Sequence, residues 1–328
     1  MINIAIIGAG YWGKNLIRAF NEIGTLKSIC DLNEKNLNAI KQSYPKLKLT
    51  KNFQEILKEK DIKGVVIATP AATHYKLAKE SLIHGKDVLV EKPLALNLNE
   101  GEELVKLAKE RKLILMVDHL FLYHPAFIKL KNLIEKDKLG EIYYIYSTRL
   151  NFGIIRIEEN ALWSLASHDI SMILEIFGKL PSEVRTIGTA YINKNIPDII
   201  SSHLKFNKAQ AAEVFVSWLN PFKERKLSVI GSKKMVVFDD LSKDKLVIYR
   251  HKIKWQKDKK PKAIKAEGKV IKILEKEPLM EEAKHFLECI KERKKSKTDG
   301  EEALKVLKVL DACQKSMEKG GELIKLIN

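Results

Sequence analysis

The sequence predicts a doubly wound α/β domain with a parallel sheet, followed by an α+β domain with a large open, mostly antiparallel sheet. Three observations predict this fold class. Up to about residue 118, short β-branched apolar runs alternate with helix-period segments, as in parallel strands joined by crossover helices. After Pro125, several strands follow one another directly, which is typical of antiparallel sheets. Two helices then close the chain. We therefore expect a first domain at residues 1–120 and a second at residues 121–328.

The first domain is predicted to contain six strands and five helices. The strand candidates are short apolar runs: Ile2–Ile7, Leu26–Asp31, Leu47–Leu49, Gly64–Ala68, Asp87–Val90 and Ile114–Val117. The helix candidates carry apolar residues at spacings of three and four, as helices packed on a sheet should. They are Asn15–Ile23, Glu34–Ser43, Phe53–Lys58, Tyr75–His84 and Glu100–Lys109.

The second domain is predicted to begin with a helix, a strand and a second helix that ends near Gly178. Alternating strands follow. The elements are Phe127–Lys136, Ile142–Leu150, Glu183–Tyr191, Ile199–Phe206, Ala211–Leu219, Lys226–Ile230, Met235–Phe238 and Leu246–His251. One closing helix starts after Pro278 and the other spans Asp299–Lys319, where Thr298 and Glu301 have the spacing of a capping box.

Composition limits the class of partner. The chain is 45% hydrophobic and 31% charged, as in soluble globular proteins, and its net charge of +17 favours anionic partners such as nucleotides. The lysine-rich stretch Lys252–Lys269 has no recognition helix, zinc finger or paired stacking aromatics beside it. We therefore expect a solvated hairpin loop there and no nucleic-acid partner.

The sequence carries no signal for a membrane or for secretion. No apolar run approaches the roughly 18 residues that a membrane span needs. The amino-terminal run lacks a basic lead-in, and the three cysteines lack metal-type spacing, which fits a reducing compartment. We expect a cytoplasmic protein with no metal site.

A glycine-rich loop follows the first predicted strand. Gly8, Gly10 and Gly13 form G-x-G-x-x-G at the start of the first helix, the pattern of a Rossmann dinucleotide-binding domain. The glycines permit a tight turn, a close approach of the backbone to a pyrophosphate, and close packing of helix on strand. Asp31 ends the second strand, where a carboxylate binds ribose hydroxyls and repels a 2′-phosphate. We therefore predict NAD as the cofactor in preference to NADP.

Two bulky residues, Tyr11 and Trp12, stand inside this loop. We predict that both belong to the cofactor site, where they contact the cofactor or the substrate, and the alternative is that they only cover the loop.

Two further motifs follow predicted parallel strands at their carboxyl ends, the edge at which doubly wound sheets bind ligands. The first begins with Thr69 and Pro70 and ends at His74, and the second is Glu91 and Lys92 before a proline. We predict that all five line the cofactor site. An ammonium group there stabilises a developing alkoxide, although a plain salt bridge between Lys92 and Glu91 is the structural alternative.

These motifs occur in the order found in a known family. Together with the segment Trp163–Asp169, they resemble the glucose–fructose oxidoreductase, inositol dehydrogenase and MocA (Gfo/Idh/MocA) family over essentially the whole chain. The resemblance implies hydride transfer on sugars or cyclitols. It also implies a second-domain sheet that forms a homodimer or homotetramer. By similarity, Lys92 is the lysine of the family's Glu-Lys-Pro motif and His168 is its catalytic histidine.

The roles of this pair follow from their chemistry. Histidine titrates near neutral pH, so His168 suits the general base and Lys92 the group that polarises the hydroxyl. The reverse assignment stays open, because a desolvated lysine can lose its proton. From the residues alone, a lone histidine on an apolar helix is more often a hydrogen-bonded core residue than a base.

One position departs from the family pattern. Ser164 stands four residues before His168, where the family usually has an aspartate. A serine offers a neutral hydroxyl instead of a charge. Either the substrate contact is remodelled or catalysis is weakened. The adjacent Asp169 is turned away by about 100° on a helix, so we do not expect it to replace the aspartate.

Within the family the chain most resembles nucleotide-sugar 3-dehydrogenases, which act on UDP-N-acetylglucosamine or its uronate. We expect a small-molecule nucleotide-sugar substrate and a product for polysaccharide biosynthesis. The predicted substrate-binding residues combine arginines for a diphosphate or carboxylate with aromatic faces for a base or sugar: Tyr123, Arg149, Arg156, Trp163, Ser164 and Arg225. A free sugar or inositol is the alternative substrate, and a silent NAD-responsive regulator is the alternative of another class.

Overall fold

A computed structural model describes residues 2–207 and 209–326 of the chain. The chain forms two compact units. The first comprises Met1–Tyr123 and Lys276–Leu307, and the second comprises His124–Glu275 and Lys308–Asn328. The domain boundary expected at residue 120 stays a prediction. In the described ranges, no helix has both the length and the apolar character needed to cross a bilayer.

The first unit contains a parallel sheet, as predicted. Among the described residues it has six strands in the order β3-β2-β1-β4-β5-β6. Their bounds are β1 Asn3–Ile7, β2 Leu26–Cys30, β3 Lys48–Thr50, β4 Ile62–Ile67, β5 Asp87–Val90 and β6 Leu115–Val117. This order reverses direction at β1, which is the topological switch point of a doubly wound sheet.

The helices lie close to the predicted positions in the chain. Their bounds are α1 Gly13–Ile23, α2 Glu34–Ser43, α3 Phe53–Lys58, α4 His74–Ile83, α5 Leu98–Glu110, α6 Pro125–Glu135, α7 Ser167–Phe177, α8 Pro278–Glu292 and α9 Gly300–Glu318. The predicted capping box is wrong in detail. Helix α9 is capped by Asp299, whose Oδ1 accepts the Glu302 amide at 2.9 Å, because α9 begins one residue later than the motif requires.

The second unit contains the mixed, mostly antiparallel sheet. Its order is β16-β13-β12-β11-β7-β10-β9-β8-β17 among the described residues. The bounds are β7 Ile142–Phe152, β8 Glu183–Thr189, β9 Ile199–Lys205, β10 Ala211–Ser217, β11 Leu219–Gly231, β12 Met235–Asp239, β13 Leu246–Tyr249, β16 Lys269–Val270 and β17 Ile324–Lys325. Only β7 and β10 pair in parallel within the described part of this sheet.

The lysine-rich stretch forms a two-stranded hairpin of β14 Lys252–Trp255 and β15 Pro261–Ile264. All eight residues of these strands are exposed, which agrees with a solvated hairpin. The short strand β17 was not predicted from the sequence, because two paired residues are too few for an alternating pattern to show.

The core of the first unit joins distant parts of the chain. Ile6 and Val66 from the sheet pack in one buried cluster with Phe20 of α1 and Phe286 of α8. The two phenylalanine rings meet edge to face, with centroids 6.4 Å apart. Burying a phenylalanine side chain fully contributes about 2 kcal/mol, so α8 is an integral part of this unit.

The sheet brings three loops to one edge. Ile7 at the end of β1 is paired with Ile67 at the end of β4, and Ile67 is paired with Val90 at the end of β5. The residues that follow these three ends therefore emerge side by side at the carboxyl edge of the sheet.

Candidate active site

The glycine loop after β1 is shaped by close backbone contacts. Gly8 has φ of +98°, and a Cβ placed on it would lie 2.5 Å from the carbonyl oxygen of Ala68. A Cβ on Gly13 would lie 2.1 Å from the carbonyl oxygen of Gly8. A Cβ on Gly10 would meet no atom within 4 Å, so the loop is open to a ligand at that position. This combination is the one that a pyrophosphate cradle requires.

Helix α1 directs its amino terminus at this open position. The residue before its first turn is Trp12, which makes no side-chain capping hydrogen bond. The Lys14 and Asn15 amides already donate to the Gly10 and Trp12 carbonyls at 3.2 and 2.9 Å, so the helix end attracts an anion chiefly through its dipole. The loop and the helix end together fit the phosphates of a dinucleotide.

Asp31 follows β2 and faces the glycine loop. Its Oδ2 accepts the Ala9 amide at 2.7 Å and its Oδ1 accepts the Asn33 amide at 2.7 Å. The Asn36 side chain donates to it at 3.2 Å. A carboxylate offers about four acceptor positions, so Asp31 retains capacity for ribose hydroxyls. The residues present therefore fit NAD.

The two bulky loop residues differ in environment. The Tyr11 side chain is 83% exposed. The Trp12 ring packs against the core, and its Nε1 donates to Asp118 Oδ2 at 2.8 Å. Trp12 thus ties the glycine loop to the end of β6, and contact of either residue with the cofactor stays a prediction.

The loop after β4 carries Thr69 and Pro70, and His74 begins α4. His74 is 1% exposed. Its Nε2 lies 2.8 Å from the carbonyl oxygen of Thr69, and its Nδ1 lies 2.8 Å from the carbonyl oxygen of Pro93. Its ring is therefore engaged by the protein's own backbone.

The loop after β5 carries Glu91 and Lys92, and the Lys92–Pro93 peptide bond is cis. Glu91 Oε2 accepts the backbone amide of Lys92 at 3.2 Å. Lys92 is half-buried and stands at the edge shared with the glycine loop. This is where an ammonium can act on a ligand bound along that edge.

A cluster of three carboxyl groups lies beneath this edge, and the sequence did not reveal it. We call Glu91, Asp118 and Glu282 the carboxyl cluster. Asp118 is 2% exposed and Glu282 is 0% exposed. Burial raises the pKa of Glu282 well above its usual range, and the nearby carboxyls of Asp118 and Glu91 add to the rise. Burial, followed by Asp118, raises the pKa of Glu91 in the same way, although Lys92 opposes it.

The surroundings of Glu91 and Glu282 favour the protonated form of both carboxyls. In the described chain, no donor reaches Glu91 Oε1, Asp118 Oδ1 or either oxygen of Glu282. Buried like charges at close range cannot all ionise. Protonation of Glu91 or Glu282 would supply a donor to a neighbouring carboxyl of the cluster.

In the second unit, His168 lies in the first turn of α7, which ends at Gly178 with φ of +68° as the sequence predicted. His168 is half-buried. The preceding residues Leu162–Ala166 form a π-helical turn. Ser164 lies inside this π turn and His168 lies in the α-helix that follows it, so the segment between them is not a regular α-helical turn. Turns of the π type often occur at functional sites.

Asp169 is directed away from the role of a substrate contact. Its Oδ2 accepts Arg149 Nε at 2.6 Å, and its carboxylate also accepts the Ser147 hydroxyl. The side chains of Arg149 and Asp169 are only 6% and 2% exposed. This buried pair anchors the first turn of α7 on β7. Substrate binding by Arg149 stays a prediction.

Trp163 is held in place by polar neighbours of its own unit. Its Nε1 donates to Gln314 Oε1 at 3.2 Å, and Asn160 Nδ2 donates to the same oxygen at 2.8 Å. The Asn160 side chain also accepts the amides of Leu162 and Trp163. Asn160 and Gln314 therefore fix the π turn, and sequence reasoning did not single them out.

The remaining predicted substrate residues have partners within the protein. Arg225 Nη1 donates to Asp240 at 3.0 Å, and Arg156 Nε lies 3.1 Å from Glu159. In the first unit, the buried Tyr123 hydroxyl lies 3.3 Å from Thr298 Oγ1. The roles of Arg156, Arg225 and Tyr123 toward a substrate stay predictions.

The parallel sheet and its glycine loop define a dinucleotide-binding domain of the Rossmann type. The chain belongs to the Gfo/Idh/MocA oxidoreductase family. The family's NAD-binding Rossmann domain matches residues 2–119, and its C-terminal alpha/beta domain matches residues 131–326. The resemblance read from the motifs is thereby confirmed, as are the fold class, NAD as cofactor and the class of enzyme.

Individual relatives are distant. UDP-N-acetylglucosamine 3-dehydrogenase of Acidithiobacillus ferrooxidans is 24% identical over 75% of this chain and 76% of its own length. Its solved structure aligns with a TM-score of 0.84 over 97% of this chain and 98% of that one. A levoglucosan dehydrogenase solved with NADH aligns with a TM-score of 0.86 at 20% identity, over 100% and 99% of the two chains. An uncharacterised oxidoreductase of Bacillus subtilis is 25% identical over 59% of this chain. The match covers 59% of the length of that relative.

Proposed function

We propose that this chain is an NAD-dependent dehydrogenase that oxidises the C3 hydroxyl of a UDP-linked N-acetyl sugar to a ketone. The observation that carries the proposal is the similarity to UDP-N-acetylglucosamine 3-dehydrogenase, which spans three quarters of both chains. Lys92 on the cofactor edge supports it, since a secondary hydroxyl needs a positive group beside its developing alkoxide.

The residues divide the chemistry as follows. Bound NAD supplies the hydride acceptor. His168 takes the hydroxyl proton as general base, and Lys92 stabilises the charge that develops on the oxygen. Gly8, Gly10 and Gly13 hold the pyrophosphate, and Asp31 holds the adenine ribose.

A free sugar is the second candidate substrate. The structural likeness to a levoglucosan dehydrogenase motivates this candidate. Ser164 bears on the substrate contact and not on the choice between the two candidates. A neutral hydroxyl in place of the expected aspartate fits a remodelled substrate contact.

The test is a turnover assay. The purified protein is incubated with NAD and each member of a panel of UDP-sugars, free sugars and inositols, and reduced nicotinamide is followed by absorbance. Turnover of UDP-N-acetylglucosamine or its uronate alone supports the proposal. Turnover of free polyols alone selects the second candidate. NAD binding without turnover on any member, unchanged in Lys92→Ala, contradicts both.

A further inference from the structure

His74 occupies an unusual position for a polar side chain. It is almost fully buried, and it stands at the start of α4, directly behind the loop that follows β4. Each ring nitrogen lies 2.8 Å from a backbone carbonyl oxygen. One carbonyl belongs to Thr69 on its own loop, and the other belongs to Pro93 on the loop that follows β5.

The two carbonyls belong to neighbouring loops of the cofactor edge. Strands β4 and β5 are adjacent, with Ile67 paired with Val90. Pro93 follows Lys92 in the chain, so the ring contacts the backbone one residue after the proposed catalytic lysine. The imidazole therefore bridges the backbone of the two loops at the point where the sheet's own hydrogen bonds have ended.

The chemistry of the bridge is directional. Carbonyl oxygens only accept, and a neutral imidazole has one N–H while an imidazolium has two. Burial lowers the pKa of His74, the two carbonyls oppose this, and the charge of Lys92 lowers it further. A neutral ring therefore links the two loops when its one N–H is on Nδ1 and donates to the Pro93 carbonyl, and a protonated ring donates to both carbonyls.

We propose that His74 is a positioning residue, which ties the loop of Thr69 to the loop of Lys92 and so fixes the ammonium at the cofactor edge. This proposal deepens the role proposed for Lys92 and rests on it. His74 acts through the two loops and does not itself touch the reacting atoms. Displacement of a catalytic group by about 1 Å can lower the rate of an enzyme by on the order of a hundredfold.

Two variants separate positioning from packing. His74→Phe keeps a ring of similar size and removes both polar atoms, while His74→Gln keeps one amide donor. The matched control is His84→Phe at the far end of the same helix. There an exposed ring is hydrogen-bonded to the Glu80 carbonyl at 2.8 Å. Circular dichroism and the melting temperature establish that each variant is folded.

The first measurement needs no substrate. The protein is acetylated with limiting acetic anhydride, and the rate at Lys92 is read by mass spectrometry against the other lysines. We expect labelling of Lys92 to rise severalfold in His74→Phe, to rise less in His74→Gln, and to stay unchanged in His84→Phe. An unchanged Lys92 rate in folded His74→Phe overturns the proposal.

The second measurement uses the turnover assay. We expect kcat to fall by about a hundredfold in His74→Phe, while KM for NAD changes little because the glycine loop is intact. Equal losses in His74→Phe and His84→Phe would overturn the positioning role. If the wild-type protein turns over no sugar, the proposed function is contradicted. If Lys92 labelling still rises in His74→Phe in that case, the role of His74 as the bridge between the loops stands.

Discussion

Replacing Glu282 with glutamine is expected to stabilise the protein, and increasingly so as the pH rises. Glu282 is fully buried, and no donor among the described residues reaches its oxygens. Its pKa is raised well above the usual 4.5, first by burial and then by Asp118 and Glu91. The folded protein therefore holds this proton more tightly than the unfolded chain does.

The sign follows from proton linkage. A carboxyl with a raised pKa contributes full stability below its ordinary pKa, and that contribution is lost as the pH rises toward the folded-state pKa. Each pH unit in this window removes about 1.4 kcal/mol of unfolding free energy per proton. Glutamine mimics the protonated acid and has no proton to lose. The advantage of Glu282→Gln should therefore grow as the pH rises from the ordinary carboxyl pKa toward the raised folded-state pKa, by at most about 1.4 kcal/mol per pH unit.

The assay is urea denaturation at several pH values, followed by fluorescence and circular dichroism. The control is Glu292→Gln on the same helix, whose side chain is 51% exposed and paired with Lys294. We expect its effect to stay within about 0.5 kcal/mol at every pH. A pH-independent difference between wild type and Glu282→Gln would refute the inference that Glu282 is protonated in the folded protein.

Four further changes have expected outcomes. Lys92→Met should abolish turnover while the NAD dissociation constant, measured by calorimetry, changes by less than about threefold; a large loss of binding would contradict its catalytic role. Asp31→Asn should weaken NAD binding by roughly tenfold or more, since bonds to a charged group contribute about 1.5–3 kcal/mol. Ser164→Asp should raise kcat if the serine only weakens catalysis, and a fall shows that the pocket is built around the hydroxyl. Asp169→Asn should cost about 3–5 kcal/mol of unfolding free energy, because it leaves the Arg149 guanidinium buried beside a neutral group; a loss under 1 kcal/mol would contradict the burial of this pair.

Local patterns made most of the first unit predictable. The apolar runs of β1, β4 and β5 and the glycine spacing after β1 are patterns among residues that are close in the chain. Such local patterns can be recognised from the sequence alone. The position of Lys92 at the carboxyl edge follows from the same pattern, because parallel strands end at the same side.

Contacts between residues far apart in the chain could not be predicted, because no local pattern links them. The carboxyl cluster brings together the residues that follow β5 and β6 with a residue of α8, and no spacing in the sequence links them. A partial signal existed. Glu282 falls on the face of α8 that also carries Leu279, Phe286 and Ile290, and an acid among buried apolar residues indicates a raised pKa. The π turn before His168 carries no comparable signal, since one extra residue in a turn leaves the apolar periodicity almost unchanged.

The packing of Phe286 against Phe20 has a consequence for synthesis of the protein. A ribosome completes the first six strands long before it reaches α8. During that interval the apolar cluster of the nascent chain is incomplete and partly exposed. Chaperones can bind this exposed surface, or the chain can misfold around it. A fragment that ends near residue 123 would lack α8 and would leave this cluster incomplete. Expression of the nucleotide-binding unit alone should therefore include the segment from Lys276 to Leu307.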